Sequence, residues 1–338
     1  PDWLVPQSST LEFPLPVREP STLIVDPVTG YPNISSCEET AFFQYYFTGA
    51  VGNGFQQLYD NTNNLQDHFI EYWQQIAQTF KNNEYVLGYE LINEPWCGDY
   101  LQHPKSIFPK YADENYLFPM YQSLNNAIRS IDNDHIIFYE AAVSDITPAG
   151  FTEGPGGPSY NNRQAYSYHV YCAPTDSDGD PTKPVFCNDT LDITFHVKQD
   201  DLRHQGVAGF MTEFGALKGT TTGIESLNYL MDLADKKIQS WAYWQYKYYA
   251  DITTASSDGA ESFYVNGVLD TGKVKALSRT YAPIIAGNPT KHEFNPETEE
   301  FILDFIIDTT ISPCTTEIFA NQDYYYSNGM NIDVSDNL

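Results

Sequence analysis

The stretch Tyr85-Val86-Leu87-Gly88-Tyr89-Glu90-Leu91-Ile92-Asn93-Glu94-Pro95 decides how the rest of the chain reads. Its first eight residues are largely apolar, the pattern of a strand covered on both faces, as in a parallel sheet. The run then ends in a carboxylate. A buried glutamate is costly, and Pro95 has no N–H to continue a ladder. Glu94 is therefore placed at the carboxyl end of a buried strand, where parallel α/β enzymes carry their reacting groups.

The same texture recurs downstream. His135-Ile136-Ile137-Phe138-Tyr139, Ala165 to Tyr171, Gly209 to Phe214 and Trp241 to Tyr246 read as further strands. Helical patterns lie between the later ones, at 191–205 and 224–237. Leu65, Phe69, Trp73, Ile76, Ala77 and Phe80 recur at spacings of three and four, which predicts a helix over 64–81. Another is predicted over 115–131. Alternating strands and helices imply a parallel α/β architecture. Five strands cannot close an eight-stranded barrel. A barrel therefore needs three strands upstream of Pro1. A doubly wound open sheet needs none, but no Gly-rich phosphate loop follows any of these strands.

The flanks differ. Residues 1–40 carry Pro1, Pro6, Pro14, Pro16, Pro20, Pro27 and Pro32 and read as irregular. Beyond residue 287, Phe301, Leu303, Phe305 and Ile307 alternate with a face bearing Asp304 and Asp308, the pattern of a half-exposed antiparallel strand. Pro296-Glu297-Thr298 makes a turn before it, and Asn328-Gly329 is a hairpin signal. The expected domains are a catalytic α/β part over 1–285 and the start of a β domain over 286–338.

Composition limits the partners. Among 338 residues, 45 acidic side chains face 17 basic ones, a net charge of −28. Such a surface repels nucleic acid and anionic membrane. No run approaches the ~18–20 apolar residues of a membrane span, so membrane contact is expected to be peripheral at most. Aromatic residues reach 15%, which serves a Tyr-rich core or sugar-stacking surfaces equally. Cys172 and Cys187 bracket a loop rich in Pro, Asp and Gly, and a bridge there would contribute roughly 3 kcal/mol. Asn33-Ile34-Ser35 and Asn188-Asp189-Thr190 are glycosylation sequons. With the acidity, these features point to a secreted or lysosomal protein. No CxxC or His/Cys cluster calls for a metal, and no cofactor is expected. The chain opens on Pro1 without an initiator Met, so its natural start is expected upstream or on another chain.

Met211-Thr212-Glu213-Phe214-Gly215 repeats the Glu94 pattern: one carboxylate ends an apolar run, and Gly follows where the chain turns. Two carboxylates flanking an anomeric carbon are what glycoside hydrolysis needs. At a separation of ~5 Å, like-charge coupling raises the acid partner while the other stays ionised, and the outcome is a covalent intermediate with retention. Asn93 can donate to a sugar hydroxyl beside the reacting carbon. His169 and Tyr171 share one face of their strand, and a Tyr hydroxyl can hold a nucleophilic carboxylate ionised. Trp244 is placed as a platform beneath the sugar, and Trp241 in the core.

Taken in order, Asn93-Glu94-Pro95, His169 to Tyr171, Glu213 to Gly215 and Trp244 resemble the retaining family-five glycoside hydrolases. Gly88 to Trp96, the opening Pro1-Asp2-Trp3, and Leu277-Ser278-Arg279-Thr280-Tyr281 to Ala286-Gly287-Asn288-Pro289-Thr290 resemble the endoglycoceramidases within them. The resemblance implies a (β/α)8 TIM barrel whose first three strands are not in this chain, followed by a partial antiparallel β-sandwich. It implies hydrolysis between the glycan and ceramide of glycosphingolipids, with Glu94 as acid/base and Glu213 as nucleophile. Asn93, His169, Tyr171 and Trp244 would line the first sugar site, and Tyr59 stands where the family's groove has a Trp. Trp96, Phe108, Phe118 and Met120 are candidates for the apolar half of that groove. The family's Arg, and its His and Asp near the second and third strands, are missing here. An N-terminal fragment of the same precursor would supply them, so this chain alone is expected to be inactive. Two other functions use the same residues: a β-glucosidase or cellulase-like hydrolase on soluble glucosides and glucans, and a catalytically dead glycan or lipid binder. The intact Glu94 and Glu213 weigh against the latter.

Overall fold

Five strands form where the apolar runs lie: β1 (Gly88–Glu90), β2 (Ile136–Glu140), β3 (Gln164–Tyr171), β4 (Ala208–Gly215) and β5 (Ser240–Trp241). They make one sheet in that order. The β1–β2 and β2–β3 pairs are parallel, and so is the bridge between Gly215 and Trp244. Strand order that follows sequence order has no reversal point, which removes the doubly wound alternative. The computed structural model describes residues 10–11, 21–40, 42–142, 146–176, 178–247 and 258–335. Pro1-Asp2-Trp3 and most of the proline-rich opening lie outside them.

Local chemistry explains the short β1. A Cβ on Gly88 would stand 2.1 Å from the Ile136 carbonyl oxygen, so only glycine lets the two backbones approach. The following chain still pairs through Leu91 N–H, which donates to Phe138 O at 3.1 Å. β3 is buried at every residue but its last, as a strand covered on both faces should be. The predicted helix before β1 runs Leu65–Phe80. It buries Trp73 and Ala77, and the Trp73 indole donates to Leu91 O at 3.1 Å, fixing the helix to the segment that leads to Glu94.

Two helices depart from their expected starts. The 115–131 helix opens as a π-helical turn over Asp113–Leu117 and becomes α-helical over Phe118–Arg129. Pro119 lacks the N–H that an α-helical turn would use, so the break falls beside it. Leu117, Met120, Leu124 and Ile128 are all buried on its inner face, each contributing about 1.5–3 kcal/mol. The helix expected from 191 begins at Pro184, because proline suits a first helical turn. Cys187 is thereby carried next to Cys172, and the two form a disulfide with Cα atoms 5.2 Å apart.

The proline-rich opening is not wholly irregular. Thr10–Leu11 pairs with Ser21–Thr22, and Asn33 caps a one-turn helix over Ile34–Glu38. At the other end, Gly287–Asn295 and Glu300–Ile307 form the antiparallel hairpin around Pro296-Glu297-Thr298. Asn328-Gly329 makes a turn, but no strand flanks it among the described residues. Hairpin formation needs partners with matching faces, which a turn signal alone does not supply.

The chain divides into two compact units. One comprises Pro1–Val170, Ile193–Thr212 and Tyr249–Ala255; the other comprises Tyr171–Asp192, Glu213–Tyr248 and Ser256–Leu338. In the second unit, Arg279 is buried and ties the hairpin to the helix Thr221–Lys236. Its guanidinium donates to Asp235 at 2.8 and 3.0 Å, to Asp232 at 2.6 Å and to Phe294 O at 2.7 Å. Lys273 is fully buried in the helix Thr271–Leu277, and its ammonium donates to the carbonyls of Gly259, Ala260 and Ser262, each at 2.9 Å. Among the described residues, no helix is long and apolar enough to cross a membrane.

Candidate active site

In the first unit, Glu94 lies just past β1, where the chain makes a sharp departure. Its φ is 41°, in the left-handed region that non-glycine residues seldom adopt. Such a conformation costs on the order of 1–3 kcal/mol and persists only when neighbours hold it. Three do so here. Glu94 N–H donates to Oε2 of Glu140 at 2.8 Å. The Tyr46 hydroxyl donates to Glu94 Oε2 at 3.2 Å, and His169 Nδ1 lies 2.8 Å from Glu94 Oε1. Asn93 is exposed beside them.

The electrostatics of this cluster differ from the expectation. Burial raises the Glu94 carboxyl, but the His169 hydrogen bond, the charge of His169 and the Tyr46 hydrogen bond outweigh it and hold the group below the usual carboxylate range. The raised carboxyl is Glu140. Burial pushes it up to about 8, against a counter-pull from His169 and the Glu94 N–H. Counting like charges alone pointed to a raised Glu94; the imidazole at 2.8 Å reverses that in the free site.

In the second unit, Tyr171 ends β3 and its hydroxyl donates to Glu213 Oε2 at 2.7 Å. A donor at that distance favours the ionised carboxylate. Phe214 and Gly215 then end β4. Gly215 has φ 134°, and a Cβ there would lie 2.5 Å from Trp244 O and 2.6 Å from the Tyr243 ring. Only glycine lets the two backbones meet, and Trp244 N–H donates to Phe214 O at 2.8 Å. Trp244 keeps 41% of its surface exposed, and the Trp244–Gln245 peptide is cis. Phe214 packs edge-on against Trp241 and Tyr243.

Glu94 and Glu213 thus follow or end parallel-type strands at their carboxyl ends, each with its own hydrogen-bonded aromatic or imidazole partner. The residues from 51 to 250 match the family description "Cellulase (glycosyl hydrolase family 5)". The chain belongs to glycosyl hydrolase family 5. Residues 279–338 match the glycoside hydrolase family 5 C-terminal domain. The chain is 36% identical to an endoglycoceramidase of Hydra vulgaris, over 100% of this chain and 61% of that protein. It is 34% identical to an endoglycoceramidase of Cyanea nozakii, over 99% of this chain and 64% of that protein. It therefore spans about three fifths of these relatives' lengths. Endo-glycoceramidase II from Rhodococcus sp., solved with ganglioside GM3, shares the fold at a TM-score of 0.67 and 22% identity, over 89% of this chain and 62% of that one. The family 5 fold is thus present as part of a TIM barrel followed by part of a β-sandwich.

Within that fold, several candidate residues sit differently from the sequence reading. Trp96 is 5% exposed and packs with Cys97, Tyr100 and Ala112, so it lies in a buried cluster rather than an open groove. Tyr59 is half-buried: its ring stacks on Tyr116 and its hydroxyl donates to Trp96 O at 2.5 Å. Of the apolar candidates, Met120 is buried, Phe118 packs on Phe151, and Phe108 stands exposed. Asn33 is exposed, with its side chain capping the helix it starts, whereas Asn188 is half-buried on a helix. Tyr46 and Glu140 were not foreseen. Glu140, like Glu94, is a lone carboxylate closing an apolar run, but no Pro or Gly follows it; Tyr46 carries no signal.

Proposed function

We propose that the chain is the larger part of a retaining endo-β-glycosidase that cleaves glycan from the ceramide of glycosphingolipids. The observation that carries this is Glu94, held with His169 and Tyr46 at the end of β1, in a chain one third identical to two endoglycoceramidases over nearly its whole length. Glu213 is the nucleophile: the Tyr171 hydroxyl donates to its Oε2 and aims the carboxylate. Glu94 is the acid/base. Its proton arrives with substrate, because a bound sugar expels water and raises a carboxyl whose free form is stabilised by hydrogen bonds. The first half-reaction forms the Glu213–sugar ester as Glu94 protonates the departing oxygen. In the second, Glu94 takes a proton from water as water attacks the anomeric carbon. Asn93, exposed beside Glu94, and Trp244, exposed past β4, bind the sugar.

The catalytic part runs to residue 285 and the β domain from 286. The remaining barrel strands come from an N-terminal fragment of the same precursor, and the working compartment is secretory or lysosomal. The bridge at Cys172–Cys187 and the net charge of −28 support that compartment. Ceramide release from a fluorescent ganglioside by the complete protein tests the reading. Faster release from a cello-oligosaccharide, with no ceramide formed, would leave a cellulase-like enzyme instead. Glu213→Gln should lower kcat by on the order of a thousandfold or more; unchanged turnover would remove Glu213 from the chemistry.

A further inference from the structure

We propose that Glu140 is a positioning residue for the acid/base: it holds Glu94 in its left-handed backbone conformation by accepting the Glu94 N–H. The inference rests on the glycosidase reading above. Its geometry is local and complete within the first unit. Oε2 of Glu140 receives the Glu94 N–H at 2.8 Å, and Glu94 has φ 41°. The Glu140 backbone is itself anchored, since the Tyr121 hydroxyl donates to its carbonyl at 2.8 Å. Oε1 lies 3.8 Å from His169 Nδ1, the atom that also contacts Glu94 Oε1. One carboxyl thus touches the main chain of Glu94 and lies near the imidazole that touches its side chain.

The groups facing Glu140 are His169 from β3, Glu94 from the turn after β1, and Glu90 from β1 itself. With one imidazole against two carboxylates and little solvent, Glu140 carries its proton at neutral pH, as burial dictates. A neutral acid accepts the Glu94 N–H without adding a charge beside it. Loss of the acceptor would leave a partly buried N–H unpaired and free the turn to relax toward commoner backbone angles. Glu94 would then be present but misaimed, which harms proton delivery more than sugar binding.

Leaving-group dependence reads this directly. In the complete protein, kcat and KM are measured on dinitrophenyl and methoxyphenyl β-lactosides, the first of which departs without protonation. Glu140→Ala should lose about a hundredfold or more in kcat on the methoxyphenyl substrate, within the span of general acid catalysis. It should lose less than about fivefold on the dinitrophenyl one, with KM little changed. Glu140→Gln keeps an acceptor oxygen and should restore most of the loss. Equal losses on both substrates, or no loss on either, would overturn the proposal. Should Glu140→Ala fail to fold, Glu140→Leu and the Gln variant carry the same comparison. Glu94→Gln run alongside separates the two levels: if it shows no leaving-group dependence, the acid/base assignment falls; if it does and Glu140→Ala does not, only the role of Glu140 falls.

Discussion

Two buried carboxyls, Glu140 in the first unit and Asp235 in the second, are handled in opposite ways. Asp235 faces a buried guanidinium that donates to it twice, and Arg279 is shared with Asp232 and the Phe294 carbonyl. Burial still lifts Asp235 to about 6, because Arg279 opposes only part of the desolvation. At neutral pH it is nonetheless ionised and paired. Glu140 has an imidazole 3.8 Å away and one backbone N–H, and burial takes it to about 8. It stays neutral where Asp235 is charged. A carboxyl left unmatched in this way costs stability, and sequences tolerate such costs mainly where geometry serves a reaction. Matched, the buried acid is a strut; unmatched, this one stands against the main chain of Glu94.

That contrast can be broken by substitution. The largest effect is expected from Arg279→Met, which removes the partner of a buried carboxylate and should cost roughly 3–5 kcal/mol in denaturant unfolding. A loss under about 1 kcal/mol would show that the Asp235 side is no strut. Glu140→Gln should act with the opposite sign. The wild-type carboxyl titrates near 4.3 when unfolded and near 8 when folded. Its contribution is full below the unfolded value and is lost as pH rises toward the folded one. At pH 7 the Gln variant should therefore be more stable by on the order of 3 kcal/mol, and near pH 4 the two should coincide. A variant less stable than wild type at pH 7 would contradict the raised state of Glu140. The smallest effect concerns Asp113, which burial lifts to about 6 although the Ala142 and Gly150 N–H groups donate to it. In the Glu140→Gln background, a residual fall of stability between pH 4 and 6 should remain, on the order of 2 kcal/mol from each of Asp113 and Asp235. A flat profile there would place both acids in more polar surroundings.

How much of this was legible in the sequence depended on whether the signal was local. Glu94 and Glu213 stand out because each comes at the close of an apolar run, with Pro95 directly after the first and Gly215 two residues after the second. Glu140 closes a similar run, but Ala141-Ala142 follows and gives no sign of a break. Trp96 is buried for a complementary reason. Pro95 sends the chain out of the strand, but the next turn brings the indole back inward against Tyr46 and Phe47. Tyr46 comes from the 3-10 segment Phe42–Phe47, far from any motif, and only tertiary folding brings it to Glu94. Periodicity fixed the helix cores to within a few residues; their starts moved where Pro119 and Pro184 reset the hydrogen bonding.

The Lys273 ammonium has a consequence for how unfolding can be watched. Its three donors meet three main-chain carbonyls, and no surface of the residue reaches water. An acylating reagent can modify that amine only after the short helix Asp258–Glu261 and Ser262 beyond it have let go. Lys105, exposed on a short turn, is labelled at once and serves as the internal standard. The ratio of the two labels in a peptide digest therefore times the opening of that segment, and equal labelling rates in the native protein would mean it opens freely.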